Sequence, residues 1–277
     1  MTKTAPKSSL LEEVHMTNSA RGKKWLDLLT KGAPKVEGLI DSVKCVKTPE
    51  AVYIAVVPDE HNHYPRAIGG EVGLLEGWTL GKVLRSIIAE DELKAIKRPI
   101  IAVVDVTSQA YGRREEAFGI HQSLASAASG YALARMAGHP VIAFIVAKAM
   151  SGAFLAHGYQ ANRLIALDDP KVLIHAMGKQ AAARITLRSV EDLDKFAATV
   201  PPMAYDIKNY ATLGLLEDLV KVESPDEPTD ADVRKVSERI AQAIEAARKA
   251  PLDLSNRLGS PNRKATSLVR EMMKEQW

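Results

Sequence analysis

The sequence predicts an α/β fold built on stacked parallel strands. Three observations carry this expectation. Short unbroken apolar runs, at 100–104 and 141–146, read as strands buried on both faces. Segments with apolar residues at helical spacing alternate with those runs through the middle of the chain. Turn signals such as Gly138-His139-Pro140 and Asp168-Asp169-Pro170 fall at the boundaries.

The elements follow in order. Residues 1–16 read as a loose tail. From Thr17 a helix carries Ala20, Trp25, Leu26, Leu28 and Leu29 and stops at Gly32 to Pro34. Strands are expected at 38–43 and at 51–57, the second rich in β-branched residues and closed by Pro58. Gly69, Gly70 and Gly73 lead into a helix through Leu80, Val83, Leu84, Ile87 and Ile88, and the strand at 100–104 ends at Asp105. One long helix is expected from Tyr111, with Ile120, Leu124, Ala127, Tyr131 and Ala134 on its apolar stripe. After the strand at 141–146, a small-residue turn at 149–153 begins a short helix. Strands at 163–167 and 171–175 precede a helix opened by Ala176 to Gly178. Ser189 with Glu191 and Asp192 reads as a capped helix start, broken later by Pro201 and Pro202. A further helix ends near Gly214, and a polar loop at 223–228 precedes a strongly periodic helix through Val233, Val236, Ile240, Ala243, Ile244 and Ala247. The last segment carries Leu268, Val269, Met272, Met273 and Trp277 on an amphipathic helix, which either packs on its own domain or forms an interaction face. The whole is read as a single domain, 1–277, with a helical C-terminal extension from about 229.

Composition narrows the function classes. With 46% hydrophobic and 26% charged residues, the 277-residue chain can bury a substantial core. The net charge of +3 suits an anionic substrate or an acidic partner, and equally an ordinary surface balance. No basic block interleaved with aromatics points to nucleic acid, and no apolar run approaches bilayer-spanning length. The single cysteine, Cys45, reads as a buried inert thiol, in keeping with a reducing, cytoplasmic location.

The common catalytic signatures are missing: there is no P-loop, HExxH, paired CxxC or strand-bound GxGxxG. His61 and His63 read as a solvated loop, His121 and His139 as packing or capping residues, and no metal site is expected. The turn at Ser151 is a degenerate nucleophile elbow with alanines at the outer glycine positions, but only His157 and His175 follow it, both early. Three strand-to-helix junctions remain, at 112–119, 149–153 and 176–178. At each, backbone N–H groups without intrahelical partners present positive charge, and glycine or alanine admits a ligand oxygen. Two such amides can stabilise an oxyanion.

Four runs carry a resemblance: IAVVDVTS at 101–108, RREEAFGI at 113–120, AKAMSGAF at 147–154 and IHAMG at 174–178. Together they resemble the carboxyltransferase branch of the crotonase superfamily, and within it the gamma subunits of malonate decarboxylases, over roughly residues 52–222. The resemblance implies a crotonase-like ββα spiral with flanking helices. It implies an active site enclosed with a homologous beta subunit, so that the chain alone is inactive. The implied substrate is a malonyl group on an acyl carrier protein, held through a phosphopantetheine-type arm derived from dephospho-CoA. Decarboxylation leaves an acetyl thioester, which a transferase subunit returns to the cycle. By this resemblance Gly152 and Ala153 supply oxyanion amides with Ser151 beside them. Glu116, Phe118, Gly119 and Ile120 line the pocket, and Met177 and Gly178 adjoin it. Related biotin-dependent carboxyltransferases usually carry Gly-Gly-Ala where this chain has Ser151-Gly152-Ala153, and in them this half faces biotin. A biotin-dependent carboxyltransferase subunit and a non-catalytic structural subunit are therefore the alternatives.

Overall fold

A computed structural model describes residues 19–277, so the expected tail lies outside the described residues. Seven strands form a mixed sheet: β1 (Val43–Lys47), β2 (Val52–Val56), β3 (Ile100–Val106), β4 (Val141–Met150), β5 (Arg163–Leu167), β6 (Leu173–His175) and β7 (Asp218–Val220). The order is β1-β2-β3-β4-β5-β7, with β6 joined to β4. Only the β1–β2 pair is antiparallel; the others run parallel, as the continuous apolar runs require.

Every residue of β3 and β5 is buried, and so are nine of the ten in β4, all but Lys148. Helices cover the sheet. α1 (Arg21–Leu29) sets Trp25 edge-on to Phe144, with ring centroids 5.3 Å apart. α2 (Leu74–Glu90) lies against α4 (Ile120–Met136) so closely that a Cβ on Gly77 would come within 2.7 Å of the Ser123 backbone. α9 (Asp230–Lys249) buries Val236, Ile240, Ala243 and Ala247. Its start is fixed by a reciprocal cap: Thr229 Oγ1 accepts from the Asp232 N–H while Asp232 accepts from the Thr229 N–H.

Several boundaries differ from the sequence expectation. The strand expected at 38–43 begins instead at Val43, because Gly38 adopts φ +73° and its neighbours form turns. The single long helix from Tyr111 is two, α3 (Arg113–Ala117) and α4, separated by Gly119 at φ +79°. The strand expected at 141–146 continues to Met150. Its pairing with β3 shifts between Val104 and Val106, and its last three residues pair with β6. That extension places the next residue, Ser151, just past the C-terminal end of β4 as the start of α5 (Ser151–Ala156).

Two elements stand apart from the main core. α6 (Lys179–Ile185) and α7 (Val190–Ala197) enclose a small apolar cluster of Ala182, Ala183 and Leu193, and α7 is capped by Ser189 Oγ accepting from the Asp192 N–H. A short α8 (Ile207–Ala211) follows. α10 (Lys264–Gln276) has no buried residue, so the last segment does not pack on its own domain; Leu268, Val269, Met272, Met273 and Trp277 are all exposed.

Candidate active site

At the junction of β4 and α5 the chain turns sharply. Ser151 adopts φ +59°, a left-handed conformation that non-glycine residues rarely hold and that recurs at functional sites. Gly152 follows as the second residue of α5, where the helix provides no carbonyl for its N–H. Gln109, on the loop after β3, fills that place: its Oε1 accepts from the Gly152 N–H at 2.8 Å. A bridge between Val72 and Gln109 holds the loop there, and Ala110 N–H donates to Val72 O at 2.9 Å.

Ser151 and Gly152 open onto a cavity of about 290 Å³. Its walls are mainly apolar, from Phe154, Leu155, Ile174, Leu213 and Leu215, with the polar groups of Tyr159, His175 and Tyr210 among them. His175 is opposite Met150 in the β4–β6 pairing, so it stands level with the last residue before Ser151. Its ring is stacked on Tyr205, with centroids 3.8 Å apart and planes 12° apart. Nδ1 is held by the Met177 backbone, 3.0 Å from the carbonyl and 3.2 Å from the N–H. Burial pulls the His175 pKa below the ordinary histidine value.

The remaining sequence candidates fall in different places. Ala153 is buried beneath Gly152 as the third residue of α5. Glu116, Phe118, Gly119 and Ile120 do not line the cavity. Glu116 accepts from the Tyr111 hydroxyl at 2.9 Å, Phe118 is 63% exposed, Gly119 makes the α3–α4 turn and Ile120 is in the core. Met177 packs on the small α6–α7 cluster, and Gly178 caps α6 facing open space. Sequence reasoning missed Gln109 and passed over His175. Both reach the site through long-range pairing, which local spacing does not reveal.

The Ser151 turn has the strand-to-helix form of a nucleophile elbow. His157, however, is fully buried between the Tyr131 hydroxyl at 2.9 Å and Val103 O at 3.1 Å, and its pKa is lowered to about 4 by desolvation. His61 and His121 are exposed, while His139 is buried with Nδ1 on Arg98 O at 2.8 Å. Cys45 is buried and its thiol is pushed up to about 11 by burial. Among the described residues no three His, Cys, Asp or Glu side chains are grouped to hold a metal ion, and no helix is long and apolar enough to cross a membrane. A larger cavity of about 630 Å³ adjoins α1, and three of its four basic residues are engaged, Arg21 by Asp169 and Asp226, Lys171 by Asp226, and Lys24 by Glu227, while Lys148 makes no ion pair among the described residues.

Comparison with known proteins fits this architecture. A profile described as malonate decarboxylase gamma subunit matches residues 67–277. The chain belongs to that family. A subunit of a Pseudomonas malonate decarboxylase hetero-tetramer, solved in complex with coenzyme A, is 53% identical over 93% of this chain and 99% of its own, with a TM-score of 0.89. A Pseudomonas MdcD-MdcE hetero-dimer contains a chain 49% identical, with the same coverage and a TM-score of 0.84. The malonyl-S-ACP:biotin-protein carboxyltransferase MADD of Malonomonas rubra is 35% identical over 164 residues, and the match spans 56% of that protein's length. Transcarboxylase 12S, at 17% identity and a TM-score of 0.61, shares the fold, which bears out the crotonase-like architecture.

Proposed function

We propose that this chain forms one half of the active site of a malonyl-thioester decarboxylase and works with a homologous beta subunit. The observation that carries this reading is the Gly152 N–H. Gly152 lines a cavity, and its N–H holds a carbonyl-type oxygen, Gln109 Oε1, at 2.8 Å. That distance suits an amide donor to a developing oxyanion. A thioester oxygen in the same place displaces Gln109 and takes its hydrogen bond.

Breaking the bond to the carboxylate releases CO2 and leaves its electron pair on the substrate as an enolate, with charge on the thioester oxygen. The Gly152 N–H, pointing from the positive end of α5, stabilises that charge most as it develops. Ala153 supplies a neighbouring amide and Ser151 fixes the turn. The apolar walls keep water from the departing carboxylate. The malonyl group arrives on the phosphopantetheine-type arm of an acyl carrier protein, and a separate transferase subunit recycles the acetyl product.

Co-purified with its beta subunit, the chain is expected to release CO2 from malonyl-acyl carrier protein at a rate unaffected by avidin. A second reading, carboxyl transfer to biotin, is favoured by the named activity of the Malonomonas rubra relative. Turnover that stops with avidin supports that reading and overturns decarboxylation without biotin.

A further inference from the structure

Decarboxylation as proposed above ends with a carbanion-like enolate that must gain a proton at carbon, and the inference here rests on that reading. We propose that His175 is the catalytic acid that delivers this proton. Pairing of Met150 with His175 sets their backbones about 4.8 Å apart, the ordinary spacing of neighbouring strands. Gly152 is two residues further along, and both Gly152 and His175 line the same 290 Å³ cavity. An enolate bound in that cavity against the Ser151–Gly152 turn lies beside the imidazole.

The ring is built to face one way. Stacking on Tyr205 fixes its plane, and the Met177 backbone fixes Nδ1. Nε2 is on the opposite side of the ring from that contact, and no group among the described residues hydrogen-bonds to it. A half-buried histidine tied at one nitrogen and free at the other, on the wall of a substrate-sized cavity, has the form of a general acid.

In the step, the Nε2–H bond breaks and its proton forms the new C–H bond. The enolate electron pair becomes that bond, the thioester carbonyl is restored, and water returns a proton to Nε2. The titratable neighbours are the Tyr205 and Tyr210 phenols, both raised by burial, and the Lys179–Asp194 ion pair at 2.6 Å. The two phenols are uncharged at neutral pH, and the Asp194 carboxylate is paired with Lys179.

The test uses the assembled complex in D2O and reads two quantities. One is CO2 release from the malonyl thioester; the other is exchange of methyl hydrogen for deuterium in pre-formed acetyl thioester supplied without malonyl substrate, which is protonation run backwards. For His175→Gln we expect both rates to fall about 100-fold with KM within threefold of wild type. In His175→Ala, added imidazole is expected to restore part of both. Exchange and kcat within threefold of wild type in His175→Gln overturn the proposal, as does a fall in kcat with exchange intact. If His175→Gln fails to assemble, His175→Ala with and without imidazole decides: no gain in either rate on adding imidazole overturns the proposal. A wild-type complex that releases no CO2 refutes the decarboxylase reading itself.

Discussion

Substituting Gly152 by proline removes one hydrogen-bond donor from the site. Gly152 is the second residue of α5, a position where the helix makes no use of the N–H and where proline is tolerated. A Cβ at Gly152 lies 3.1 Å from Gln109 Oε1, 3.4 Å from its Cδ and 3.6 Å from Leu124 Cδ1. Gln109 is half-buried on a loop and can swing away, but a proline at 152 also disfavours the left-handed conformation of Ser151 before it, so assembly of this variant is established first. Loss of an oxyanion donor costs about 2.7–4 kcal/mol of transition-state stabilisation, or roughly 100- to 1,000-fold in rate. Gly152→Ala is the matched control, with the same Cβ contact and the N–H retained. Steady-state CO2 release by each variant, assembled with the beta subunit and checked by circular dichroism, should show Gly152→Ala within about tenfold of wild type and Gly152→Pro at least a further tenfold lower. Equal rates for the two in fully assembled complexes would remove the Gly152 amide from the mechanism.

Three further outcomes follow from the fold. His157 titrates near 6.5 when unfolded but at about 4 when buried, so the unfolded chain binds the proton more readily. Stability is therefore full above pH 6.5 and is lost as pH falls toward 4, by about 3 kcal/mol for this group. Urea midpoints at pH 8, 6 and 4 should show that slope, and His157→Gln should flatten it. Gly77→Ala places a methyl group against the Ser123 backbone between α2 and α4. Overpacking of about 1–3 kcal/mol outweighs the helix-propensity gain of about 1 kcal/mol, and the denaturation midpoint falls; an unchanged or higher midpoint contradicts the close packing. Met272→Glu and Met273→Glu alter the exposed face of α10. They should leave the stability of the isolated chain within about 0.5 kcal/mol, and a larger loss shows that this face belongs to the chain's own core.

Much of the fold was legible locally. The runs that became β3, β4 and β5 are apolar without interruption because both faces are covered, and α9 was legible from its apolar spacing alone. Misplaced boundaries trace to backbone conformations that spacing does not encode. Gly38 and Gly119 in left-handed turns displaced one expected strand toward Val43–Lys47 and divided one expected helix. The site was partly legible. Small residues at 151–153 marked the junction, and the resemblance singled out Gly152. The segment Glu116 to Ile120 was assigned to the pocket from its place in the family motif; within this chain it does not line the cavity beside Gly152. Gln109 and His175 meet Gly152 only because β3, β4 and β6 are neighbours in one sheet. That adjacency belongs to the topology and has no local signature.

The most direct measurement is a crystal structure of the complex with its beta subunit, bound to an unreactive malonyl-thioester analogue. The account predicts the thioester oxygen 2.7–3.1 Å from the Gly152 nitrogen, with Gln109 swung off that amide. A bound analogue whose oxygen lies elsewhere, with Gln109 still accepting from Gly152, would contradict it.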